Sequence, residues 1–170
     1  MESPSRQNYR DLPRHSLVVC GSLVHNPANL GSLCRMAEAF RLESLVLPDL
    51  AVAEDWAFRH LAVSTHRWQP LATCPRDRLV PWLAEQQRRG YCAIALHLCP
   101  EAVPLPQFAF PRRSLLVLGQ ELTGVPESVA AACDRALVIP QWGMVESLNV
   151  SVAAAIAAYA YTQQHPLEMP

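Results

Sequence analysis

Short, unbroken apolar runs recur along the chain and alternate with segments of helical spacing. The runs are continuous rather than alternating, which is typical of strands covered on both faces of a sheet. They predict five buried strands, at Ser16–Cys20, Ser44–Leu47, Tyr91–Leu96, Ser114–Leu118 and Ala136–Ile139.

Between these runs, apolar residues recur every three or four positions, as on one face of a helix. The pattern predicts a helix over Leu30–Arg41, begun by Asn29. The stretch Val103–Pro111 holds three prolines and is predicted to be a loop or an extended connector. Four further helices are predicted, at Glu54–Leu61, Asp77–Gln87, Pro126–Cys133 and Leu148–Gln163. Trp56, in the first of these four, is expected to pack inward.

Strands that alternate with helices over one domain predict an α/β fold with a mainly parallel sheet and helices on both faces. In such sheets, ligands bind beyond the carboxyl ends of the strands. The loops expected to carry function therefore follow Cys20, Leu96, Leu118 and Ile139.

The composition fits one folded domain, because 51% of the 170 residues are apolar and 17% are charged. A net charge of −1 excludes a uniformly basic nucleic-acid binder. All 14 basic residues are arginine, a bias that we attribute to genome base composition. The sequence begins with no signal peptide, and its longest apolar stretch, Val150–Tyr161, is too short to span a membrane. We therefore expect a cytoplasmic chain with reduced thiols and no membrane segment.

Polar residues are concentrated in three of the strand-end loops. After the first strand, Asn29 either caps the helix or binds a ligand. Arg35 lies in a largely apolar helix and would suit a phosphate or ribose near a helix start, although a surface arginine is also common.

The other two loops follow Leu118 and Ile139. Gly119 and Gly124 flank Glu121, which is either an active-site acid or a solvated residue of a glycine-rich turn. Ser147 and Asn149 precede the last helix, and two polar residues there are more than capping requires.

Several chemistries have no motif in the chain. There is no GxGxxG after a strand, no Walker loop and no GxSxG elbow. The six histidines show no metal-binding spacing, so no metal is expected. His97 is the one histidine at a strand end.

Three segments together resemble the motifs of the SpoU, or TrmH, branch of the SPOUT RNA methyltransferases. They are NPANLGSLCR at 26–35, LLVLGQELTGVP at 115–126 and LVIPQWGMVESLNVSVA at 137–153. The segment HLAVSTHRWQPL at 60–71 is most similar to catalytic domains that methylate a tRNA D-loop guanosine.

The resemblance implies a fold whose C-terminal part is threaded into a deep trefoil knot, and a homodimer with active sites at the subunit junction. It implies S-adenosylmethionine as cofactor and Arg35 as the catalytic arginine. The other matching active-site positions are Asn29, Glu121, Ser147 and Asn149. The positions that match cofactor contacts are Leu96, Gly119, Ile139, Ser147 and Leu148.

One motif residue departs from the family. Gln120 stands where relatives carry Asn, which affects a local hydrogen bond more than the cofactor pocket. Glu146 adds negative charge beside the cofactor loop. Because free arginine keeps its proton at pH 7, we expect Arg35 to position phosphate and stabilise an alkoxide rather than act as a base.

The RNA surface is predicted from charge, with net +4 over residues 59–89. Its arginines are Arg59, Arg67, Arg76, Arg78, Arg88 and Arg89, although a solvated helical surface would look the same. We also expect residues 1–15 to form a flexible arm, with Arg6, Arg10 and Arg14 as further RNA contacts, ahead of a single methyltransferase domain over 16–170.

The resulting prediction is an S-adenosylmethionine-dependent tRNA guanosine 2′-O-methyltransferase. The wobble ribose of tRNA and ribosomal RNA are alternative substrates. A non-catalytic knotted RNA-binding dimer is the alternative from another class, and a hydrolase or reductase is disfavoured by the absent motifs.

Overall fold

The computed structural model describes residue 9, residues 12–145 and residues 147–167. In these ranges, seven strands form one sheet in which every pairing between strands is parallel. In chain order they are β1 (His15–Cys20), β2 (Leu42–Leu47), β3 (Leu71–Thr73), β4 (Cys92–Leu96), β5 (Val103–Pro104), β6 (Ser114–Val117) and β7 (Arg135–Val138). Their order across the sheet is β3-β2-β1-β6-β4-β7-β5.

Five α-helices of the described part of the chain cover the sheet on both faces, as the apolar pattern predicted. They are α1 (Pro27–Ala39), α2 (Trp56–Ala62), α3 (Leu79–Arg88), α4 (Glu127–Ala132) and α5 (Val150–Gln164). Short 3-10 turns occupy Leu50–Glu54, Thr65–Arg67, Arg76–Arg78 and Leu105–Gln107. No helix in the described ranges is both long and apolar enough to cross a membrane.

Two apolar cores lie on opposite faces of the sheet because neighbouring strand residues point to opposite sides. Leu17 and Val19 of β1 face the core that α1, α2 and α5 close. Val18 and Cys20 of the same strand face a second core, closed by α3 and α4. Burial on both faces explains why the strands appear in the sequence as unbroken apolar runs.

The predicted α/β class is confirmed, and the element bounds agree within two residues except at the start of α1. The two edge strands, β3 and β5, are missing from the prediction because they are only two or three residues long. Pro104 made the β5 segment look like a loop, but an edge strand tolerates a proline that donates no ladder hydrogen bond.

Two local predictions are wrong. Helix α1 begins at Pro27 rather than Leu30, and Asn26 rather than Asn29 caps it, its side-chain oxygen accepting the Ala28 N–H at 2.9 Å. Trp56 does not pack inward: it is 76% exposed and stacks on His60 with ring centroids 5.0 Å apart.

Candidate active site

The carboxyl ends of β1, β6, β4 and β7 lie side by side because these four strands are consecutive neighbours in the sheet. The loops that follow them therefore emerge on the same side of the sheet, at the carboxyl ends of the strands, which we call the carboxyl edge. Three of these four loops carry the predicted polar residues, so tertiary structure brings together residues 92 to 120 positions apart in sequence.

The loop after β6 is a tight glycine turn. Backbone N–H groups of Gln120 and Gly124 donate to each other's carbonyls at 2.8 and 3.0 Å. A Cβ on Gly119 would lie 2.4 Å from the Gly124 carbonyl carbon, so the turn has no room for a side chain there. The unusual Gln120 keeps a local partner, since its side-chain oxygen accepts the Thr123 hydroxyl at 2.9 Å. The turn presents Glu121 to the neighbouring loop.

Glu121 connects the loop after β6 to the start of α1. Its carboxylate accepts the backbone N–H groups of His25 at 3.1 Å and Asn26 at 3.0 Å, and the Asn29 side-chain amide at 3.1 Å. Partial burial acts against ionisation, but these hydrogen bonds outweigh it and hold the pKa of Glu121 below its usual value. Glu121 is therefore a fixed anion that organises the start of α1, and not a solvated turn residue.

Asn149 extends this network to the third loop. Its amide donates to the Asn29 side-chain oxygen at 3.0 Å. Its own oxygen caps α5, accepting the Ser151 N–H at 2.9 Å and the Ser151 hydroxyl at 2.6 Å. Glu121, Asn29, Asn149 and Ser151 thus form one chain of hydrogen bonds across three loops.

Arg35 is exposed on α1, eight residues after Pro27, and lines a groove of about 650 Å³ between α1 and α5. Ser151 lines the same groove and so links Arg35 to the polar chain. In the described part of the molecule the Arg35 guanidinium has no hydrogen bond or ion pair, so its donors are available to a ligand.

The residues that match cofactor contacts lie at the same edge of the sheet. Leu96 ends β4, Gly119 follows β6 and Ile139 follows β7; the three strands are adjacent. Ser147 and Leu148 immediately precede Asn149, and Ser147 is exposed and makes no hydrogen bond within the described ranges. Glu146 lies outside the described residues.

The arginines predicted to bind RNA do not share one surface. Arg76 and Arg78 follow β3 at the carboxyl edge, near the site. Arg88 and Arg89 precede β4 and lie at the opposite edge, and Arg67 precedes β3 at that edge as well. Arg59 is on α2 and forms an ion pair with Glu54.

The predicted N-terminal arm falls largely outside the described residues, including Arg6 and Arg10. The described Arg14 is engaged by the protein, because it forms an ion pair with Glu38 and donates to the carbonyls of Leu42 and Trp68 at 3.1 Å. Arg14 is thus unavailable for the RNA contact predicted for it.

Two contributors were absent from the predicted site. Asn26 supplies the helix cap and one N–H to Glu121, and its sequence signal is the Asn-Pro pair that commonly begins a helix. Ser151 joins the groove to the polar chain, a role that depends on which face of α5 meets α1.

Burial holds two of the cysteine thiols in their protonated form. All six cysteines are free thiols. Burial raises the pKa of Cys34 to about 11 and that of Cys133 to about 12, so both stay protonated near neutral pH. Within the described ranges, no cluster of three or more His, Cys, Asp or Glu side chains could hold a metal ion.

Comparison with known proteins finds relatives in sequence and in fold. A curated relative, the tRNA (guanosine(18)-2′-O)-methyltransferase of Mus musculus, is 38% identical over 151 residues, which is 89% of this chain but 10% of that protein. The chain therefore spans about a tenth of the length of this relative.

Two solved structures share the fold. The A. aeolicus TrmH/SpoU tRNA modifying enzyme superposes with a TM-score of 0.81 at 27% identity, covering 93% of this chain and 81% of that one. The AdoMet-bound rRNA methyltransferase from Sinorhizobium meliloti superposes with a TM-score of 0.79 at 23% identity, covering 94% of this chain and 61% of that one.

The model of the SpoU rRNA methylase family matches residues 16–159, a span that includes all three motif loops and the Glu121–Asn29–Asn149 chain. This protein belongs to the SpoU methylase family.

Proposed function

We propose that this chain catalyses methyl transfer from S-adenosylmethionine to a ribose 2′-hydroxyl of tRNA, and that its target is a D-loop guanosine. The observation that carries the proposal is the hydrogen-bond chain Glu121–Asn29–Asn149, which ties three family motifs into one site beside Arg35. The mouse relative, a tRNA (guanosine(18)-2′-O)-methyltransferase, supports the substrate.

The sheet edge fits the cofactor chemically. Leu96, Ile139 and Leu148 are partly exposed apolar residues that suit a nucleoside, and Gly119 keeps the neighbouring backbone free of a side chain. Bound S-adenosylmethionine supplies a methyl group on a positively charged sulfur. The knotted threading of the C-terminal part stays a prediction, as does a cytoplasmic location.

The chain's own residues would act mainly by holding the ribose and its phosphate. Arg35 offers a planar fork of donors that suits a phosphate and the developing charge on the 2′-oxygen. The hydrogen bond between Asn149 and Asn29 holds the starts of α5 and α1 together, and Glu121 fixes the Asn29 side chain. An exposed Ser147 beside Asn149 is placed to contact the cofactor or the ribose.

The direct test measures transfer of a labelled methyl group from S-adenosylmethionine to tRNA transcripts. A transcript with 2′-deoxyguanosine at the target position should accept none, since it lacks the acceptor oxygen. Arg35→Ala should lower kcat by about 100-fold. Arg112→Ala is the matched control, because Arg112 is an exposed arginine just before β6, at the opposite edge.

Mapping the product distinguishes the alternatives. Methylation of the wobble ribose or of ribosomal RNA would replace the D-loop assignment and keep the enzyme class. Failure to bind S-adenosylmethionine in a calorimetric titration would instead favour the non-catalytic RNA-binding dimer.

We also infer that the protein is a homodimer that pairs through α1 and α5. Val152, Ile156 and Tyr159 of α5 are 47%, 38% and 56% exposed, and they line the same groove as Arg35. Apolar side chains grouped on one helix face are typical of a surface that another subunit covers. A second subunit there would enclose Arg35.

Light scattering after gel filtration tests this state. Ile156→Asp should yield monomers, whereas Gln163→Asp, on the exposed polar end of the same helix, should keep the dimer. A wild-type monomer at micromolar concentration would contradict the inference.

A further inference from the structure

Arg76 contacts the active-site loop through backbone groups other than those that Glu121 binds. Its Nε donates to the Ser22 carbonyl at 3.1 Å, and its Nη2 donates to the Val24 carbonyl at 3.2 Å. Both carbonyls belong to the α1 entry loop, residues 21–26, which connects β1 to α1. The charge pattern assigned Arg76 to RNA, but at least two of its donors are used inside the protein.

The α1 entry loop is held through both kinds of backbone group. Glu121 accepts the N–H groups of His25 and Asn26, while Arg76 donates to the carbonyls of Ser22 and Val24. Ser22 and Val24 are fully buried, and a buried carbonyl without a partner is costly. Between the two contacts, the loop has little freedom to shift relative to the β6 turn.

The order of these contacts along the chain gives them a role. The loop leads directly into Asn26, which caps α1, and one turn later into Asn29, which bridges Glu121 and Asn149. A displacement of carbonyls 22 and 24 would therefore move the start of α1, and with it Asn29 and Arg35.

We propose that Arg76 is a positioning residue of the active site, which acts through the α1 entry loop and not by contact with RNA. The catalytic part of this inference rests on the proposed function. Its structural part does not, because the hydrogen bonds to carbonyls 22 and 24 exist whatever reaction the site performs.

Arg76→Lys separates the two roles. Lysine keeps the positive charge that a phosphate contact needs, but it lacks the planar fork that serves two carbonyls at once. We expect kcat to fall several-fold, with unchanged affinity for tRNA and unchanged salt dependence of binding. Arg76→Ala should lower kcat further, by roughly 10- to 100-fold, as small displacements of catalytic groups do.

Arg78→Ala is the matched comparison. It removes the same charge two residues away, from a side chain that makes no hydrogen bond within the described ranges. Arg78→Ala should raise KM for tRNA. If Arg76→Lys keeps wild-type kcat while Arg76→Ala raises KM and reduces the salt slope by about one, Arg76 contacts phosphate and the inference is overturned.

Amide hydrogen exchange at His25 and Asn26 gives a readout that needs no activity. Both amides should exchange faster in Arg76→Lys and at the wild-type rate in Arg78→Ala. If wild-type protein proves inactive on every RNA, the proposed function fails and exchange alone decides the positioning role. Unchanged exchange in the Lys variant would reject it.

Discussion

Glu121 shows how one charged residue can organise a site from the surface of a protein. Three donors converge on its carboxylate, two from the backbone of the α1 entry loop and one from Asn29. Each is a charge-assisted hydrogen bond, a class that is stronger than a neutral one. The ionised form is therefore the form that holds the loop.

This coupling predicts a pH-dependent stability. A carboxyl whose folded pKa lies below its unfolded value, about 4.3 for Glu, adds stability at higher pH that is lost as pH falls through the folded pKa. Glu121→Gln should lower the free energy of unfolding at pH 7 by about 1–3 kcal/mol. The difference from wild type should shrink between about pH 5 and pH 3 in urea titrations.

Glu101→Gln is the control, because Glu101 is exposed and makes no hydrogen bond within the described ranges. It should change stability little at either pH. A Glu121→Gln difference that stayed constant with pH would mean that its partners do not favour the charged carboxylate.

At the scale of the elements, the site depends on loops that follow strands at one edge of the sheet. The β6 turn folds back until Gly119 touches the backbone of Gly124. Gly124 has a φ of +69°, a left-handed conformation that favours glycine. The two glycines thus set where Glu121 projects and how closely a ligand approaches the end of β6.

Gly119→Ala should disrupt this turn, because its Cβ would lie 2.4 Å from a backbone carbon that cannot rotate away. We expect a loss of about 1–3 kcal/mol in unfolding free energy, the usual cost of overpacking. Affinity for S-adenosylmethionine should fall at least tenfold in calorimetry.

Gly143→Ala, in the loop after β7, is the matched control, since a Cβ at that position would have no atom of the described residues within 4 Å and the φ of Gly143 is not left-handed. Its stability should remain near wild type. Equal effects of the two substitutions would contradict the steric explanation.

The molecule as a whole has a net charge of −1, so any RNA surface must come from the placement of arginines. Arg78 lies at the carboxyl edge with the candidate active site, whereas Arg88 is the last residue of α3 and lies at the amino edge, before β4. Phosphate contacts give a salt-dependent affinity, and only contacts near the site hold the target nucleotide there.

Charge reversal at these two positions tests the division. Arg78→Glu should raise KM for tRNA. It should also reduce the slope of log affinity against log salt by about one to two, as expected for the loss of one or two phosphate contacts. Arg88→Glu should change both quantities less. Similar losses for the two variants would mean that tRNA spans both edges of the sheet.

Much of this architecture follows from local sequence. Unbroken apolar runs predicted β1, β2, β4, β6 and β7 because burial on both faces removes the usual alternation. Edge strands β3 and β5 are missing from the prediction because they are short and partly exposed, so they contain no long run of apolar residues. In β5, Pro104 also made the segment look like a loop. The predicted start of α1 is three residues late because the prediction takes Asn29 as the cap, although the Asn26–Pro27 pair is also a signal for a helix start.

By itself, the sequence determined the α/β class, the three polar loops and the residues Asn29, Arg35, Glu121 and Asn149 as candidates, since hydrophobic period and motif spacing are local properties. Only the tertiary structure decided what each side chain contacts. Strand order joined Glu121 to Asn29 and Asn149, turned Arg76 toward the carbonyls of Ser22 and Val24, and divided the arginines between two edges. Such contacts join residues far apart in the chain, and side-chain type and spacing do not specify which distant backbone group a donor will meet.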